Sequence, residues 1–524
     1  MILRLFTILL ISSFILRTVR NLLFQSYLWQ LKEYRLDRML SYLKTTQGRK
    51  VILNPLSLIK WVLIVIGLTV IIYSYFVIGS IESSGFLILI LYLLFWFIWC
   101  FEGIKSVWVL IKGGWRLPKF TVKIWLILMT SSVITFSWVY LENFGFFLTY
   151  GPLLDKLLTS VIIVSVMVLN LASWLIKKII VILAKRKIER TKNLIVIGIT
   201  GSYGKTSTKE YLSTILSSRY KVLKTEGYNN TEVAVALTIL KQLNSSHEVF
   251  IVEMGAYKKG EIKAICDIVH PQVGIITGIN QQHLELFGTL EKTIAAKFEL
   301  IKGLRKQGKA IFNLNNKYVR KMYENAQIER KDLSVYGFSE KESYKVISIR
   351  PDCMIFELIY KKEKIKCQVN LYGEQNIENV IGASFTALLL GFSILEVKSA
   401  VKKLKPPIHT MRLFQGKNGR LFIDDTFNSN PDGVLAALKY LTLFRQKKYL
   451  VLTPLIELGK EALKIHEMIG EKAAVSGVSI FLTNPNYFNT FRGIAKIYKD
   501  EELPKSGVIL FEGKEAGKIL KNYV

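Results

Sequence analysis

The long apolar stretches of this chain lie almost entirely before residue 185. A helix that crosses a bilayer needs roughly 20 mostly apolar residues. Four uncharged or nearly uncharged stretches come close to that length, at about 60–80, 85–101, 124–141 and 157–176. The pattern predicts four transmembrane helices there.

A fifth apolar stretch, at about 5–23, is interrupted by Arg17 and Arg20. It is either a spanning helix whose arginines reach the interface or a helix that lies in the interface. A cleaved signal peptide is less favoured, because the small-residue cleavage site expected after the apolar stretch is missing. The first 184 residues are therefore expected to form a region of four or five membrane helices.

Basic residues are divided unequally among the segments that join these stretches. Lys and Arg are frequent in 32–50, 105–123 and 177–192, and they are missing from 81–84 and 142–155. Because basic segments stay on the cytoplasmic side, everything after residue 177 is expected in the cytoplasm. The predicted location is the plasma membrane, crossed several times.

The composition agrees with a membrane protein. The chain of 524 residues is 51% hydrophobic and carries a formal net charge of +31. We attribute this charge to the cytoplasmic loops and to a lysine-rich soluble part that faces anionic membrane lipid, and we expect no nucleic-acid partner. The four cysteines have no metal-ligand spacing, so they are expected to be reduced structural thiols; they are Cys100, Cys266, Cys353 and Cys367.

After a basic connector at 185–192, short apolar runs alternate with helical stretches. This alternation predicts parallel sheets covered by helices, an α/β architecture. Because Pro406 and Pro407 separate two such sets, we expect one domain at 193–405 and a second at 406–524. The apolar runs lie at 194–199, 249–252, 273–277, 310–312, 421–423, 449–452 and 478–482.

The first of these runs leads into a glycine-containing loop and then a helix. Glycines let the loop backbone approach an anion, Lys205 can reach the β and γ phosphates, and the Thr206 hydroxyl can bind Mg²⁺. Five residues separate Gly198 from Gly204, one more than in the common motif. The sequence therefore predicts a phosphate-binding loop made of Gly201, Ser202, Tyr203, Gly204, Lys205, Thr206 and Ser207.

Two further polar residues are expected at the same sheet edge. Glu253 ends the apolar run 249–252, where a carboxylate can hold Mg²⁺ on ATP. His283 follows the run 273–277 and is either a ligand for a second metal ion or an ordinary capping or surface histidine.

At this point the chain resembles the Mur ligases, and most closely the MurF type, which adds D-alanyl-D-alanine to a UDP-muramoyl tripeptide. The resemblance covers about 193–524, whereas membrane helices stand where MurF proteins have a soluble UDP-binding domain. It depends on an ordered series of matching blocks at 198–210, 225–230, 252–256, 260–262, 283–288, 373–379, 411–412, 424–432 and 457–459.

The resemblance implies roles for individual residues. Lys205 and Thr206 would hold the ATP phosphates and Mg²⁺, and Glu253 and His283 would be metal ligands, with two ions expected. Lys297 matches a lysine that is carbamylated in some relatives to help hold the second ion. The remaining implied residues are Asn376 and Asn379 for the nucleotide, Arg412 and Asp425 from a closing C-terminal domain, and Thr225, Asn229, Asn230, Asn428 and Asn430 for substrate.

The resemblance also implies the fold and the activity. The fold would be a central P-loop ATPase-like domain followed by a Rossmann-like C-terminal domain. The activity would be ATP-dependent, ADP-forming ligation of D-alanyl-D-alanine, or a similar amine, to a UDP-linked or lipid-linked muramoyl peptide in peptidoglycan synthesis. Membrane lipid and other cell-wall enzymes are the further partners expected. The alternatives are a Mur-type ligase for another envelope or poly-amino-acid substrate and an inactive Mur-like scaffold.

Overall fold

The computed structural model describes residues 2–32, 34–43, 48–49, 54–78, 85–141, 144–227, 229–280, 289–416, 420–427, 429–455, 458, 461–491, 493–498 and 503–523. The chain forms two compact units, Met1–Lys178 and Ile179–Val524.

The first unit is helical throughout its described elements. Its third helix begins where the Asn54 side chain accepts a hydrogen bond of 3.1 Å from the Leu56 backbone N–H, and Pro55 occupies the first helical position. Both features are typical of helix starts. The helices are α1 (Ile2–Leu31), α2 (Leu36–Leu43), α3 (Pro55–Tyr73, followed by a π-helical turn Ser74–Ile78), α4 (Gly85–Ile111), α5 (Val122–Leu141) and α6 (Phe144–Arg190).

Length and composition make four described helical stretches suitable for crossing a membrane: Ile8–Leu31, Pro55–Phe76, Gly85–Ile111 and Ser160–Arg190. The uncertain stretch at 5–23 is thus part of one such helix. Around 124–141 a helix forms, but its described apolar part, Val122–Thr135, is shorter. The segment 142–155, which we expected to be a loop, is helical from Phe144 onward.

The end of α6 belongs to the second unit. Ala184 and Ile188 are buried in the same cluster as Leu194 and Val196, and the Lys187 ammonium donates a 2.8 Å hydrogen bond to the Leu240 carbonyl. The segment 185–192, expected to be a connector, is therefore helical as far as Arg190 and packs on the α/β core.

The strands of the second unit form three sheets. They are β1 (Ile195–Thr200), β2 (Val222–Lys224), β3 (Val249–Glu253), β4 (Val273–Ile276), β5 (Lys309–Asn313), β6 (Ser334–Phe338), β7 (Tyr344–Ile349), β8 (Met354–Tyr360), β9 (Glu363–Val369), β10 (Arg412–Gln415), β11 (Leu421–Asp425), β12 (Lys448–Leu452), β13 (Val478–Leu482), β14 (Ala495–Ile497) and β15 (Val508–Glu512).

The first sheet is parallel, in the order β2-β3-β1-β4-β5-β6. The strand that leads into the phosphate loop, β1, thus lies between β3 and β4. Parallel sheets of this kind bind ligands at the carboxyl ends of their central strands. A second sheet, in the order β10-β11-β15-β12-β13-β14, is parallel except for its edge strand β10. Both sheets agree with the α/β architecture that the sequence predicts.

The antiparallel sheet β7-β8-β9 has no counterpart among our predictions. Its middle strand alternates between buried and half-buried residues over most of its length, and its inner side chains join the core beneath the first sheet.

Helices cover the parallel sheets. They are α7 (Lys205–Leu216), α8 (Glu232–Gln242), α9 (Glu261–Val269), α10 (Leu290–Lys302), α11 (Lys317–Glu329), α12 (Gln375–Leu389), α13 (Ile394–Val401), α14 (Pro431–Leu441), α15 (Ala462–Val475) and α16 (Lys514–Leu520), with a short 3₁₀ helix at Phe488–Phe491. Helices α7 and α12 share one buried cluster, and the Tyr211 hydroxyl on α7 donates a 3.0 Å hydrogen bond to Asn376 on α12. This packing brings the phosphate loop and the paired asparagines together.

Candidate active site

The phosphate loop turns sharply into helix α7 at Gly204. This glycine has φ of +78°, in the left-handed region that favours glycine. A Cβ at this position would lie 2.3 Å from the Asn379 amide oxygen. The loop therefore depends on glycine here for its backbone conformation and for its close approach to α12.

Lys205 folds back over the loop. Its ammonium donates hydrogen bonds to the carbonyls of Gly201 at 2.9 Å and Ser202 at 3.1 Å. Burial lowers the pKa of this ammonium, and the Glu253 carboxylate partly opposes that change. The Ser202 hydroxyl is buried and has no partner among the described residues, so the loop holds a donor that a bound oxyanion could satisfy.

Glu253 ends β3 and pairs in register with Ile199 of β1. Its carboxylate accepts hydrogen bonds from the Thr206 hydroxyl at 3.0 Å and the Asn230 amide at 3.1 Å. Its backbone N–H donates to the Thr225 hydroxyl at 3.0 Å. Two of the residues expected to contact substrate, Thr225 and Asn230, thus hold Glu253 in place, while Asn229 is exposed.

Lys209, which was not among our predicted site residues, contacts Glu253. It lies one helical turn after Lys205, is fully buried, and places its ammonium 3.1 Å from the Glu253 carboxylate. The Gly227 carbonyl accepts a further hydrogen bond from it at 3.1 Å. The available signal was its i+4 spacing from Lys205, which places both lysines on one face of the helix.

Lys297, on α10, reaches the same loop from the other side. Its buried ammonium donates a 3.0 Å hydrogen bond to the Gly201 carbonyl. Burial, together with the nearby Lys205 charge, brings the pKa of Lys297 well below its usual value. His283 lies outside the described residues.

Asn376 and Asn379 are both buried on α12. The Asn376 amide donates to the Tyr372 carbonyl at 2.7 Å, and the Asn379 amide oxygen accepts from the Thr208 hydroxyl at 3.3 Å. Both asparagines line a cavity beside the phosphate loop. Their hydrogen bonds also connect α12 to Tyr372 and to Thr208 of α7.

Two acids from the C-terminal domain face the loop. Asp425 and Glu512 are register neighbours at the ends of β11 and β15. Asp425 accepts a 3.1 Å hydrogen bond from the Met411 backbone N–H, and Glu512 accepts one of 2.8 Å from the Ser429 hydroxyl. Burial raises the pKa of Asp425 to about 7. Burial also raises the pKa of Glu512, and the neighbouring Asp425 charge raises it further.

Glu512 was not among our predicted site residues, although it ends an apolar run at 508–511 just as Glu253 ends 249–252. Arg412, by contrast, begins the edge strand β10 with its side chain exposed, and it is not among the residues that line the cavity. The structure thus brings Asp425 to the loop without Arg412.

One contact between the central and C-terminal domains lies beside this cavity. The Asn280 amide donates to Asn430 at 3.1 Å and to Asp432 at 2.9 Å. Asn430 also caps helix α14 by accepting from the Gly433 N–H at 3.1 Å. Asn430 therefore has a structural role in this conformation, and Asn428 lies outside the described residues.

Together these elements enclose a cavity of about 330 Å³, within the usual size range of small-molecule sites. Its walls include residues 202–207 of the loop, both asparagines of α12, Asp425 and Glu512. Within the described ranges, no three His, Cys, Asp or Glu residues cluster in a way that could hold a metal ion. The donor pair Thr206 and Glu253 suits Mg²⁺ instead, because that ion needs few protein ligands beside phosphate and water.

Comparison with known proteins shows what this site is similar to. Residues 199–387, which include the loop, Glu253, Lys297 and both asparagines, match the family model described as Mur ligase middle domain. Over these residues the chain is similar to the middle domain of the Mur ligases.

The chain is also similar to MurF-type enzymes. The UDP-N-acetylmuramoyl-tripeptide–D-alanyl-D-alanine ligase of Haemophilus influenzae is 30% identical over 310 residues, 58% of this chain and 63% of that protein. The same enzyme of Borreliella burgdorferi is 33% identical over 304 residues, 56% of this chain and 63% of that protein. The chain thus spans about 63% of the length of either relative.

A solved structure extends the similarity to three dimensions. The crystal structure of MurF from Acinetobacter baumannii superposes with a TM-score of 0.61 at 26% identity, covering 66% of this chain and 80% of that one. The α/β part of the chain therefore has the Mur ligase fold, preceded by a helical region with apolar helices.

Proposed function

We propose that this protein is a membrane-anchored, ATP-dependent ligase of the MurF type, which joins D-alanyl-D-alanine or a similar amine to the carboxylate of a muramoyl peptide. One observation supports this proposal most directly. The Thr206 hydroxyl donates a 3.0 Å hydrogen bond to the Glu253 carboxylate beside the phosphate loop, and Thr206 and the C-terminal Asp425 both line the cavity. The MurF-type relatives supply the substrate class.

ATP is the first substrate in this proposal. Lys205 and the backbone of the loop bind its phosphates, because Lys205 and the start of α7 direct positive charge into the cavity. The unpartnered Ser202 hydroxyl supplies one more donor. Asn376 and Asn379 lie where the nucleotide would contact α12.

Thr206 and Glu253 would hold Mg²⁺, whose charge lowers the cost of the negative charge that builds on the transferred phosphoryl group. The Lys209 ammonium lies 3.1 Å from the Glu253 carboxylate and balances its charge. Because Lys209 has the Gly227 carbonyl as a second partner, it can remain ordered when Glu253 turns to a metal ion.

The ligation itself takes two steps. The acceptor carboxylate attacks the γ-phosphorus, so that a carbon–oxygen–phosphorus linkage forms, the β–γ bond breaks and ADP leaves. The amine then attacks the acyl carbon, the new carbon–nitrogen bond replaces the bond to phosphate, and the amine loses a proton. Lys205 offsets the phosphoryl charge in the first step.

We further propose that Lys297 becomes carbamylated and helps to hold a second metal ion. Carbamylation needs the neutral amine, and the lowered pKa of Lys297 favours that form. The folded protein is equilibrated with carbon dioxide, the carbamate is trapped chemically, and the peptides are analysed by mass spectrometry. The peptide that contains Lys297 should carry the trapped carboxyl group. An unmodified peptide at saturating carbon dioxide would reject this step.

The membrane location is also part of the proposal. The four apolar helical stretches and the basic segments between them support an anchor in the plasma membrane, with the ligase domains in the cytoplasm. Such an anchor would hold the enzyme near the membrane steps that use its product.

A product screen tests the substrate. Detergent-purified protein is incubated with ATP, Mg²⁺ and D-alanyl-D-alanine, paired in turn with a UDP-linked and a lipid-linked muramoyl tripeptide. Mass spectrometry should find the pentapeptide on at least one carrier, and the Lys205→Ala variant should make none. The absence of pentapeptide on both carriers would reject the MurF-type substrate.

A further inference from the structure

The first unit contains a second cavity, of about 730 Å³, lined by described residues of α1, α2, α3, α4 and α6 and of the segment after α4. It lies where apolar helices give way to basic segments. Part of its wall is apolar and aromatic, including Phe24, Trp29 and Trp61. The cavity is several times larger than a single ordered water requires and falls in the range of organic ligand sites.

Its charged lining is strongly one-sided. Among the described residues around it are five cations and one carboxylate, a surplus of four positive charges. Three separate parts of the unit contribute these cations, so they converge on the cavity from different directions. They are Arg17 and Arg20 from α1, Lys60 from α3, and Lys105 and Arg116 from α4 and the segment after it.

The carboxylate, Glu102, is already engaged. Its oxygen lies 2.8 Å from the Lys60 ammonium and 3.6 Å from the Arg17 guanidinium. Arg20 instead donates a 3.1 Å hydrogen bond to the Ser106 hydroxyl. Within the part of the chain that the structure describes, no carboxylate forms an ion pair with Arg20, Lys105 or Arg116.

A role in setting membrane orientation does not by itself explain why these basic residues surround a cavity. Basic residues that only fix membrane orientation reach outward into water. Lys60, however, is only 3% exposed, and the Arg17 guanidinium lies 5.6 Å from the centre of the Trp99 ring. Lys105 and Arg116 are exposed, so the cost of burying cations applies to Lys60 and Arg17, and Glu102 is the carboxylate beside both among the described lining residues.

We propose that this cavity binds the diphosphate headgroup of a membrane lipid. A diphosphate carries several charge-bearing oxygens, which suits a surplus of four positive charges better than the single charge of a phosphodiester does. Arginines bind phosphate oxygens in paired hydrogen bonds, and lysine adds a point charge. The apolar wall would contact the first part of the lipid chain, and basic clusters between membrane helices bind anionic headgroups in this way.

Native mass spectrometry of the full-length protein tests this site without any turnover, so its outcome is independent of the ligase activity. The protein is released from phosphatidylcholine nanodiscs doped with either a long-chain alkyl diphosphate or additional phosphatidylcholine. We expect one alkyl diphosphate to be retained per chain, and inorganic diphosphate at equal concentration to displace little of it. Equal retention of both lipids would contradict the proposal, and full displacement by inorganic diphosphate would assign the site to a soluble anion instead.

Two double variants separate the cavity from general surface charge. Arg20→Gln with Lys105→Gln should lower retention of the alkyl diphosphate by roughly tenfold or more. Lys112→Gln with Lys119→Gln removes the same charge from exposed residues of the same region that do not line the cavity, and it should leave retention nearly unchanged. Similar losses in both variants would contradict the proposal.

A conservative variant serves as the control for misfolding. Arg20→Lys keeps the positive charge and should keep most of the binding. Each variant should also elute as the wild-type protein does in size-exclusion chromatography. Wild-type retention by a correctly eluting Arg20→Gln, Lys105→Gln variant would exclude these two cations from the site.

Discussion

Single residues show how the site is held before any substrate binds. Glu253 could be predicted as a strand-end carboxylate, because an acid directly after a buried β-branched run lies at the sheet edge. Its partner Lys209 was not predicted, since a lysine in the first turns of a helix usually points into water, and the i+4 spacing from Lys205 was the one sequence signal that it shares the loop's face of the helix. Only the packing of α7 against β3 reveals that Lys209 is buried with Glu253.

The Lys209 contact predicts a specific loss of stability. Lys209→Met leaves the buried Glu253 carboxylate without its cation, so the melting temperature of the purified protein should fall by roughly 5 to 10 °C. Added Mg²⁺ should recover part of this loss. Lys224→Met, which breaks the half-exposed pair with Glu210, should have a much smaller effect. Equal losses in the two variants would contradict the pairing of Lys209 with Glu253.

The acids of the C-terminal domain predict a dependence on pH. The pKa of Asp425 in the folded protein is raised to about 7. Above its ordinary pKa but below pH 7, the folded protein therefore binds a proton at Asp425 that the unfolded chain has lost. The stability that this proton contributes to the folded state is lost as the pH rises through 7. Asp425→Asn can keep the hydrogen bond from Met411 without titrating. Between pH 6 and pH 8, the wild-type protein should therefore lose stability relative to Asp425→Asn, as measured by thermal unfolding. A constant difference would show that Asp425 titrates normally.

At the scale of elements, the loop between β1 and α7 was the most predictable feature. Its residues have local requirements, namely glycine at a left-handed position and a helix start facing an anion. The sheet β7-β8-β9 was not predicted, because short mixed strands resemble the helical and loop stretches around them. The connector at 185–192 was also misjudged, since a basic stretch can continue a helix when one face packs on a core, as Ile188 does.

The turn at Gly204 gives the prediction at this scale. Gly204→Ala would force a Cβ against Asn379 at a position with positive φ, so ATP affinity should fall by roughly tenfold or more. Gly477→Ala is the matched control, since its φ is +64° with open space around the added carbon. Titration with a fluorescent ATP analogue should show unchanged binding in that control. Unimpaired binding by Gly204→Ala would mean that the loop adopts another conformation with nucleotide.

At the scale of the whole molecule, charge and hydropathy divide the chain into two parts of different composition. The helical unit, Met1–Lys178, contains most of the long apolar stretches, and the unit Ile179–Val524 contains the Mur ligase fold. The sequence indicated this division because apolar runs of membrane length are rare in soluble proteins. The last turns of α6 could not be assigned from hydropathy alone, since their basic sequence fits a linker as well as a helix that packs one face on a core.

The proposed topology predicts which side of the membrane holds the ligase domains. A tag at the C-terminus should resist protease in intact spheroplasts and be digested after lysis. The protein should also stay in the membrane fraction after alkaline carbonate washing. Digestion of the tag in intact spheroplasts would reverse the orientation that the basic segments indicate.

The most direct test of the central proposal is phosphate release from ATP by the full-length protein in detergent. We expect release only when a muramoyl-tripeptide acceptor and D-alanyl-D-alanine are both present, because the acceptor carboxylate must attack before the amine can displace phosphate. The Lys205→Ala variant should release none under the same conditions. Steady ATP hydrolysis by the wild-type protein, unaffected by either substrate, would contradict the proposed ligase function.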